Sequence, residues 1–209
     1  MGHVILLGDS IFDNARYVPD HPPVIEQLRR GLPARWKATL LAVDGNITED
    51  VAGQLVGLPE DATHLFVSVG GNDALGESGI LNSPSYYVGG ALETLHGPLA
   101  AFQQNYRTML RAVLATNKPV TVCTVYDSIP GFGVGELTAL ELFNSVILRE
   151  AFRAGVSVID LRLICDRPDD YSPLSPIEPS VAGGSKITRV IAEVATGHYG
   201  ALSGSRIYT

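Results

Sequence analysis

The 209-residue sequence is poor in cysteine, histidine and positive charge. Its two cysteines, Cys123 and Cys165, form no pair motif, and its five histidines are scattered singly, so neither a disulfide framework nor a structural zinc site is expected. Fifteen Lys and Arg stand against 22 Asp and Glu, a net charge of −7. That deficit excludes the basic face that a phosphate backbone or an anionic membrane surface requires. Long apolar runs are missing too. Val4-Ile5-Leu6-Leu7 stops at Gly8-Asp9, short of the about 7–15 apolar residues of a secretory signal and the ~18 of a membrane span. Met1-Gly2-His3 carries no Lys or Arg, so the expected location is cytoplasmic. No repeat, charge block or Pro/Gly/Ser linker divides the chain, and residues 1–209 are read as a single domain.

What is present is a large potential core: 45% of residues are hydrophobic and 18% charged. Five short apolar runs, His3–Gly8, Lys37–Val43, His64–Val69, Val120–Val125 and Val156–Asp160, predict strands buried on both faces. Helical spacing lies between them. Val24, Ile25 and Leu28 follow Pro22-Pro23; Val51 and Leu55 follow a cap expected at Thr48. Longer stripes run through Leu99, Phe102, Tyr106, Met109, Leu110 and Val113, through Leu140, Asn144, Ile147, Leu148 and Ala151, and through Ile187, Val190, Ile191 and Val194 before Gly197. Strand alternating with helix predicts an α/β fold with a doubly wound parallel sheet. The stretch from Ala74 to Gly97, rich in Gly and Pro, is expected to be mostly irregular, with a short helix around Ala91–Leu95. Its Ile80, Leu81, Tyr86 and Tyr87 are candidates for shaping a pocket.

Ligands in such sheets bind beyond the carboxyl ends of the strands. There the sequence reads Gly8-Asp9-Ser10, Asp44-Gly45-Asn46, Gly70-Gly71-Asn72-Asp73 and Tyr126-Asp127-Ser128. Ser10 on a tight strand-to-helix turn can attack a carbonyl. Its own N–H, the Gly45 N–H and the Asn72 amide can then hold the oxyanion. Taken singly, each of these is a common turn.

Taken together and in order, these blocks resemble the SGNH/GDSL hydrolase superfamily. The likeness extends to Pro179-Ser180 and Ala182-Gly183-Gly184 before the last helix. The resemblance implies a three-layer α/β/α, flavodoxin-like fold with a five-stranded parallel sheet, and esterase or lipase-like hydrolysis of small esters or acetylated sugars without a cofactor or metal. It places the nucleophile on Ser10 and oxyanion donors on Gly45 and Asn72.

The family's Asp-x-x-His block is altered. Here it reads Ser175-Pro176-Ile177-Glu178. Glu178 can itself be the general base if held about 2.6–3.2 Å from the hydroxyl, with burial raising its pKa from near ~4.3. A neutral Ser175 could then donate to the carboxylate where an Asp would repel it. Alternatively, another histidine serves. His3 and His64 start strands at the far edge, and His198 lies roughly 24 Å along the last helix, which leaves His21 or His96. A third reading is an inactive binding module on the same fold. A fourth places Mg²⁺ on Asp9, Asp44, Asp73 and Asp127 for phosphoryl chemistry. The expectation taken forward is a serine ester hydrolase with a Ser10–Glu178 dyad and an acyl-Ser10 intermediate, no nucleic-acid partner, and an oligomeric state left open.

Overall fold

The computed structural model describes residues 1–197 and 207–208. A mostly buried parallel sheet organises the chain. Its strands are β1 (His3–Gly8), β2 (Lys37–Leu40), β3 (His64–Ser68), β4 (Val120–Cys123) and β5 (Ser157–Ile159). Two short strands, β6 (Tyr171–Ser172) and β7 (Ser175–Pro179), form a separate antiparallel pair, and β8 (Ile207–Tyr208) joins the main sheet beside β5. The order is β2-β1-β3-β4-β5-β8. The sheet therefore has six strands where five were expected. The sixth is two residues long, too short for any periodicity to register, and is held by parallel pairing of Val158 with Ile207 and Ile159 with Tyr208.

Val4 to Leu7 of β1 are wholly buried because helices cover the sheet on both faces. Helices α1 (Val24–Gly31) and α6 (Val181–Thr196) pack together. Helices α4 (Val88–Leu114) and α5 (Val134–Ala154) form another packed pair, which α2 (Val51–Gln54) joins through α4. The chain runs from β1 outward to β2, then back past β1 to β3. This reversal makes the β1/β3 edge the topological switch point, where a crevice opens. The α/β, three-layer expectation holds.

Two local expectations change. Residues 74–97 are not mainly irregular. Helix α3 (Gly71–Gly76) is followed by a short 3₁₀ stretch (Ser78–Asn82), and α4 then runs unbroken for 27 residues. Gly89, Gly90, Gly97 and Pro98 each weaken a helix locally. The Phe102, Tyr106, Met109, Leu110 and Val113 stripe buried further along supplies the packing that carries the helix through them. Thr48 is not a cap. The residue ahead of its 3₁₀ turn is Ile47, and the fully buried Thr48 gives both its N–H and its hydroxyl to Asp73 Oδ2 at 3.0 Å. Among the described residues no helix is long and apolar enough to cross a membrane.

Helix α6 is docked by contacts at its first turn. Ser180 caps it, accepting from the N–H groups of Ala182 and Gly183 at 3.1 and 3.2 Å. Gly183 lies so close to the Asp170 carbonyl that a Cβ there would overlap the backbone. Gly183→Ala must push α6 away from the turn that precedes β6. It should lower stability by about 1–3 kcal/mol in urea unfolding; a change of only a few tenths would mean that the interface yields without cost.

Candidate active site

Ser10 stands at the end of β1 on a turn built from Asp9. The Asp9 N–H donates to the Ser68 carbonyl at 3.0 Å, which locks the turn to β3. The Asp9 carbonyl accepts from the N–H groups of Phe12 and Asp13 at 3.2 and 3.1 Å, and Asp9 Oδ1 accepts from Ile11 N–H at 3.1 Å. The backbone thus closes around Ser10, which is 6% exposed and opens onto a cavity.

Glu178 reaches that cavity from a different frame. It lies on β7, outside the main sheet, and is 3% exposed. The carbonyls on either side of it are pinned. Ile177 accepts from the Tyr126 hydroxyl at 2.7 Å, and Pro179 accepts from Asn14 Nδ2 at 3.0 Å. Asn14, itself fully buried, also accepts from Val24 N–H at 2.9 Å. It therefore ties the loop after β1 to both α1 and β7. Ser172 adds a bond from its hydroxyl to the Tyr17 carbonyl at 2.6 Å. Neither Asn14 nor Tyr126 has a local sequence signal for this task, because each acts on a backbone carbonyl, 165 and 51 residues away respectively.

Asn72, in the first turn of α3, lines the same cavity and donates to the Asn46 carbonyl at 2.9 Å. An amide carries two N–H donors, so one bond does not exhaust it. Gly45 neighbours Asn46 with φ +84°, a left-handed geometry that favours glycine. It is exposed and does not line the cavity. The structure therefore gathers Ser10, Asn72 and Glu178 in the lining of one cavity and leaves Gly45 on the neighbouring loop. That loop is held by Asp13, which accepts from Asp44 N–H at 3.0 Å, and by the Tyr17 hydroxyl on Asp44 at 3.1 Å.

The electrostatics are those of buried acids. Burial is the main cause raising the Glu178 carboxyl to about 7; the hydrogen-bonding Ser10 side chain opposes the rise and the negative Asp44 adds to it. Glu178 Oε2 has no hydrogen-bond partner. Asp9 is pushed to about 8, again mainly by burial, against the Ile11 N–H and with the charges of Glu178 and Asp73 behind it. At neutral pH Asp9 keeps its proton, while Glu178 is poised between its two forms.

The expected role of Ser175 is corrected. It pairs with Ser172 at the start of β7, three positions from Glu178, and no hydrogen bond joins the two. Side chains alternate along a strand, so a spacing of three puts them on opposite faces, about 10 Å apart along the chain. The histidine candidates also lie elsewhere. His21 and His96 are exposed and neither lines the cavity. His3 is bonded to Asp61 and Thr39 at 2.7 and 2.8 Å, and His64 packs on Trp36 with ring centroids 5.5 Å apart. His198 lies outside the described residues. Among the described residues no group of three or more His, Cys, Asp or Glu is arranged to hold a metal ion. Asp44 pairs with Tyr17 and Arg16, and Asp73 with Thr48.

The cavity itself measures about 250 Å³. Ile80, Leu81 and Phe132 line it, whereas Tyr86 and Tyr87 are exposed and do not.

Residues 6–184 match the family model described as GDSL-like lipase/acylhydrolase. No curated protein sequence matches. Among solved structures, an extracellular lipase from Streptomyces rimosus is 18% identical with a TM-score of 0.68, over 94% of this chain and 100% of that one. An acetyl xylan esterase from Geobacillus stearothermophilus is 15% identical with a TM-score of 0.67, over 97% of each chain. A phospholipase A1 from Streptomyces albidoflavus is 18% identical with a TM-score of 0.62, over 93% of this chain and 99% of that one. At these identities the likeness is one of fold.

A raised carboxyl pKa has a stability consequence with a definite sign. The folded chain binds the Glu178 proton more tightly than the unfolded one, so this group's contribution is complete below its ordinary 4.5 and is lost as pH rises through about 7. Glu178→Gln removes that loss. The variant should gain stability relative to wild type on going from about pH 4 to pH 8, by on the order of 1–3 kcal/mol in urea unfolding. A difference that does not change with pH would show that the buried charge costs nothing.

Proposed function

We propose a mechanism for a chain that belongs to the GDSL-like lipase/acylhydrolase family and is a carboxylic ester hydrolase: Ser10 is the nucleophile and Glu178 its general base. One observation carries this reading. A buried carboxyl with an unpartnered oxygen lines the same cavity as the serine hydroxyl, and the Ser10 side chain is near enough to lower the carboxyl's pKa against the effect of burial. Ser10 Oγ attacks the ester carbonyl as its proton passes to Glu178. The tetrahedral oxyanion is held by the Ser10 N–H, the Gly45 N–H and the Asn72 amide. Collapse expels the alkoxide, which takes the proton back from Glu178, and leaves an acyl-Ser10 ester. Water then attacks that ester with Glu178 again accepting the proton, and as the acid departs Glu178 returns that proton to Ser10 Oγ.

A carboxylate at its ordinary pKa is a feeble base for this task. Pushed to about 7 it has a proton affinity near that of imidazole, the value at which general bases work best at neutral pH. The second Asn72 N–H, left over from its bond to Asn46, supports its oxyanion role, and the same bond draws the Gly45 loop alongside. Gly45 is the donor with least support, since it stands outside the cavity lining. Tyr126 and Asn14 are positioning residues that hold the Glu178 backbone. The chemistry draws on this chain's own side chains and needs no metal or cofactor. The two buried cysteines are free, in keeping with action in the reducing cytoplasm.

A serine-trapping phosphonate followed by mass spectrometry should label Ser10, and Ser10→Ala should abolish turnover of p-nitrophenyl esters. Asn72→Ala should cost about 10²–10³ in kcat. Glu178→Gln should remove the rise of kcat/KM around pH 7, while His21→Ala and His96→Ala keep it. A Glu178→Gln enzyme with full activity, or a His21→Ala enzyme with none, would falsify the base assignment.

A further inference from the structure

Asn144 is the polar member of the apolar stripe on α5, fully buried between Leu140 one turn before it and Ile147 one turn after. A buried amide has lost its water and is tolerated where both of its ends find partners. Here they find the two backbone groups of one residue. Asn144 Oδ1 accepts from the Val125 N–H at 2.8 Å, and its Nδ2 donates to the Val125 carbonyl at 2.9 Å. Pairing of β4 with β5 ends at Cys123 and Ile159, so the amide does for Val125 what a neighbouring strand does for β4.

Val125 is the middle one of three consecutive residues fixed to three different parts of the fold. Before it, Thr124 donates its hydroxyl to Asp160 Oδ1 and accepts from the Leu161 N–H, each at 2.9 Å, just beyond β5. After it, Tyr126 donates its hydroxyl to the Ile177 carbonyl of β7 at 2.7 Å. The Tyr126 ring also packs edge-on against Tyr171 of β6, with centroids 4.9 Å apart. Residues 124–126 thus continue β4, a strand of the sheet that presents Ser10 at the end of β1, and reach the hairpin that carries Glu178. They form a strut between the two.

We infer that Asn144 is a positioning residue for Glu178: by clamping Val125 it sets Tyr126, and through the Tyr126 hydroxyl on Ile177 it fixes Glu178 against Ser10. The inference rests on the Ser10–Glu178 reading above and adds a residue of α5 that is not in the cavity lining. The linkage is short and stiff. Val125 and Tyr126 are covalent neighbours, as are Ile177 and Glu178, and a planar ring with one hydrogen bond joins the two pairs. A leucine at position 144 would complete the apolar stripe, but it would leave both Val125 backbone groups unpaired and the strut free to drift. A drift of about 1 Å at a reacting group is enough to cost on the order of 10² in rate.

The test follows Glu178 by two readouts: titration of its carboxyl by carbon NMR, assigned with Glu178→Gln, and kcat on a p-nitrophenyl ester. Once the strut is released the carboxyl regains water, so its pKa should fall from about 7 toward its ordinary 4.5. Asn144→Ala and Tyr126→Phe should each show that fall, and each should lower kcat about 30- to 100-fold. Both act on one strut, so the double variant should lose no more than about threefold beyond either single one. Asn144→Ser, which keeps a hydroxyl at the site, should move the titration in the same direction and serves if the alanine variant does not fold. Ile147→Val loosens the same stripe one turn away from the strut and should leave both readouts as in wild type. An unmoved Glu178 titration in Tyr126→Phe or in a folded Asn144 variant, losses that multiply in the double variant, or the same fall in Ile147→Val would overturn the inference. If Glu178→Gln keeps full activity while the Asn144 and Tyr126 variants still move the Glu178 titration, the placement of Glu178 by Asn144 stands and the base assignment alone is overturned.

Discussion

A carboxyl group buried without a counter-charge is the constraint to which the rest of the site answers. Glu178 loses its water, keeps one oxygen unpaired and has only the hydroxyl of Ser10 to favour its ionised form. Left to itself such a group would swing outward into solvent. It is kept in place because the backbone on each side is held from elsewhere, by Tyr126 through Ile177 and by Asn14 through Pro179. The proton affinity of the Glu178 carboxyl follows from where the backbone is fixed. The neighbouring Asp9 shows the same effect of burial, which pushes its carboxyl up to about 8.

Much of the sheet could be read from the sequence, and the reason is physical. Strands buried on both faces need unbroken apolar runs, and Val4–Leu7 and Leu65–Val67 supply them. Ser10 and Asn72 could be singled out because strand ends in a parallel sheet converge, and Glu178 because it stands where the resembled family's Asp-x-x-His block has its histidine. The full length of α4 was not legible, since Gly89, Gly90, Gly97 and Pro98 argue locally against a helix whose stability comes from a stripe further on. Strand β8 was too short to leave a pattern. The clamps on Glu178 were invisible for a deeper reason: a side chain that bonds a distant backbone carbonyl leaves no trace at the position it bonds. Ser175 shows the converse. Its chemistry suited a role that the alternation of the strand then denied it.

The cavity joins these threads. Helices α4 and α5 have to bury apolar stripes against the sheet, and near the carboxyl ends of β1, β3 and β4 they do so incompletely, leaving a space walled by residues of the same kind as the core. The water excluded by these apolar walls keeps the nearby Glu178 carboxyl high in pKa.

The proposed nucleophile and base stand on separately built frames, the main sheet for Ser10 and the small β6–β7 hairpin for Glu178. The hairpin is held by a handful of contacts: Asn14 and Tyr126 on β7, Ser172 on the Tyr17 carbonyl, and the docked start of α6. Small units anchored in this way open at lower free energy than the sheet they lean on. On the proposed mechanism, catalytic competence is thus a property of one local docking equilibrium, so that heat or denaturant can disarm the enzyme while its six-stranded sheet is still folded.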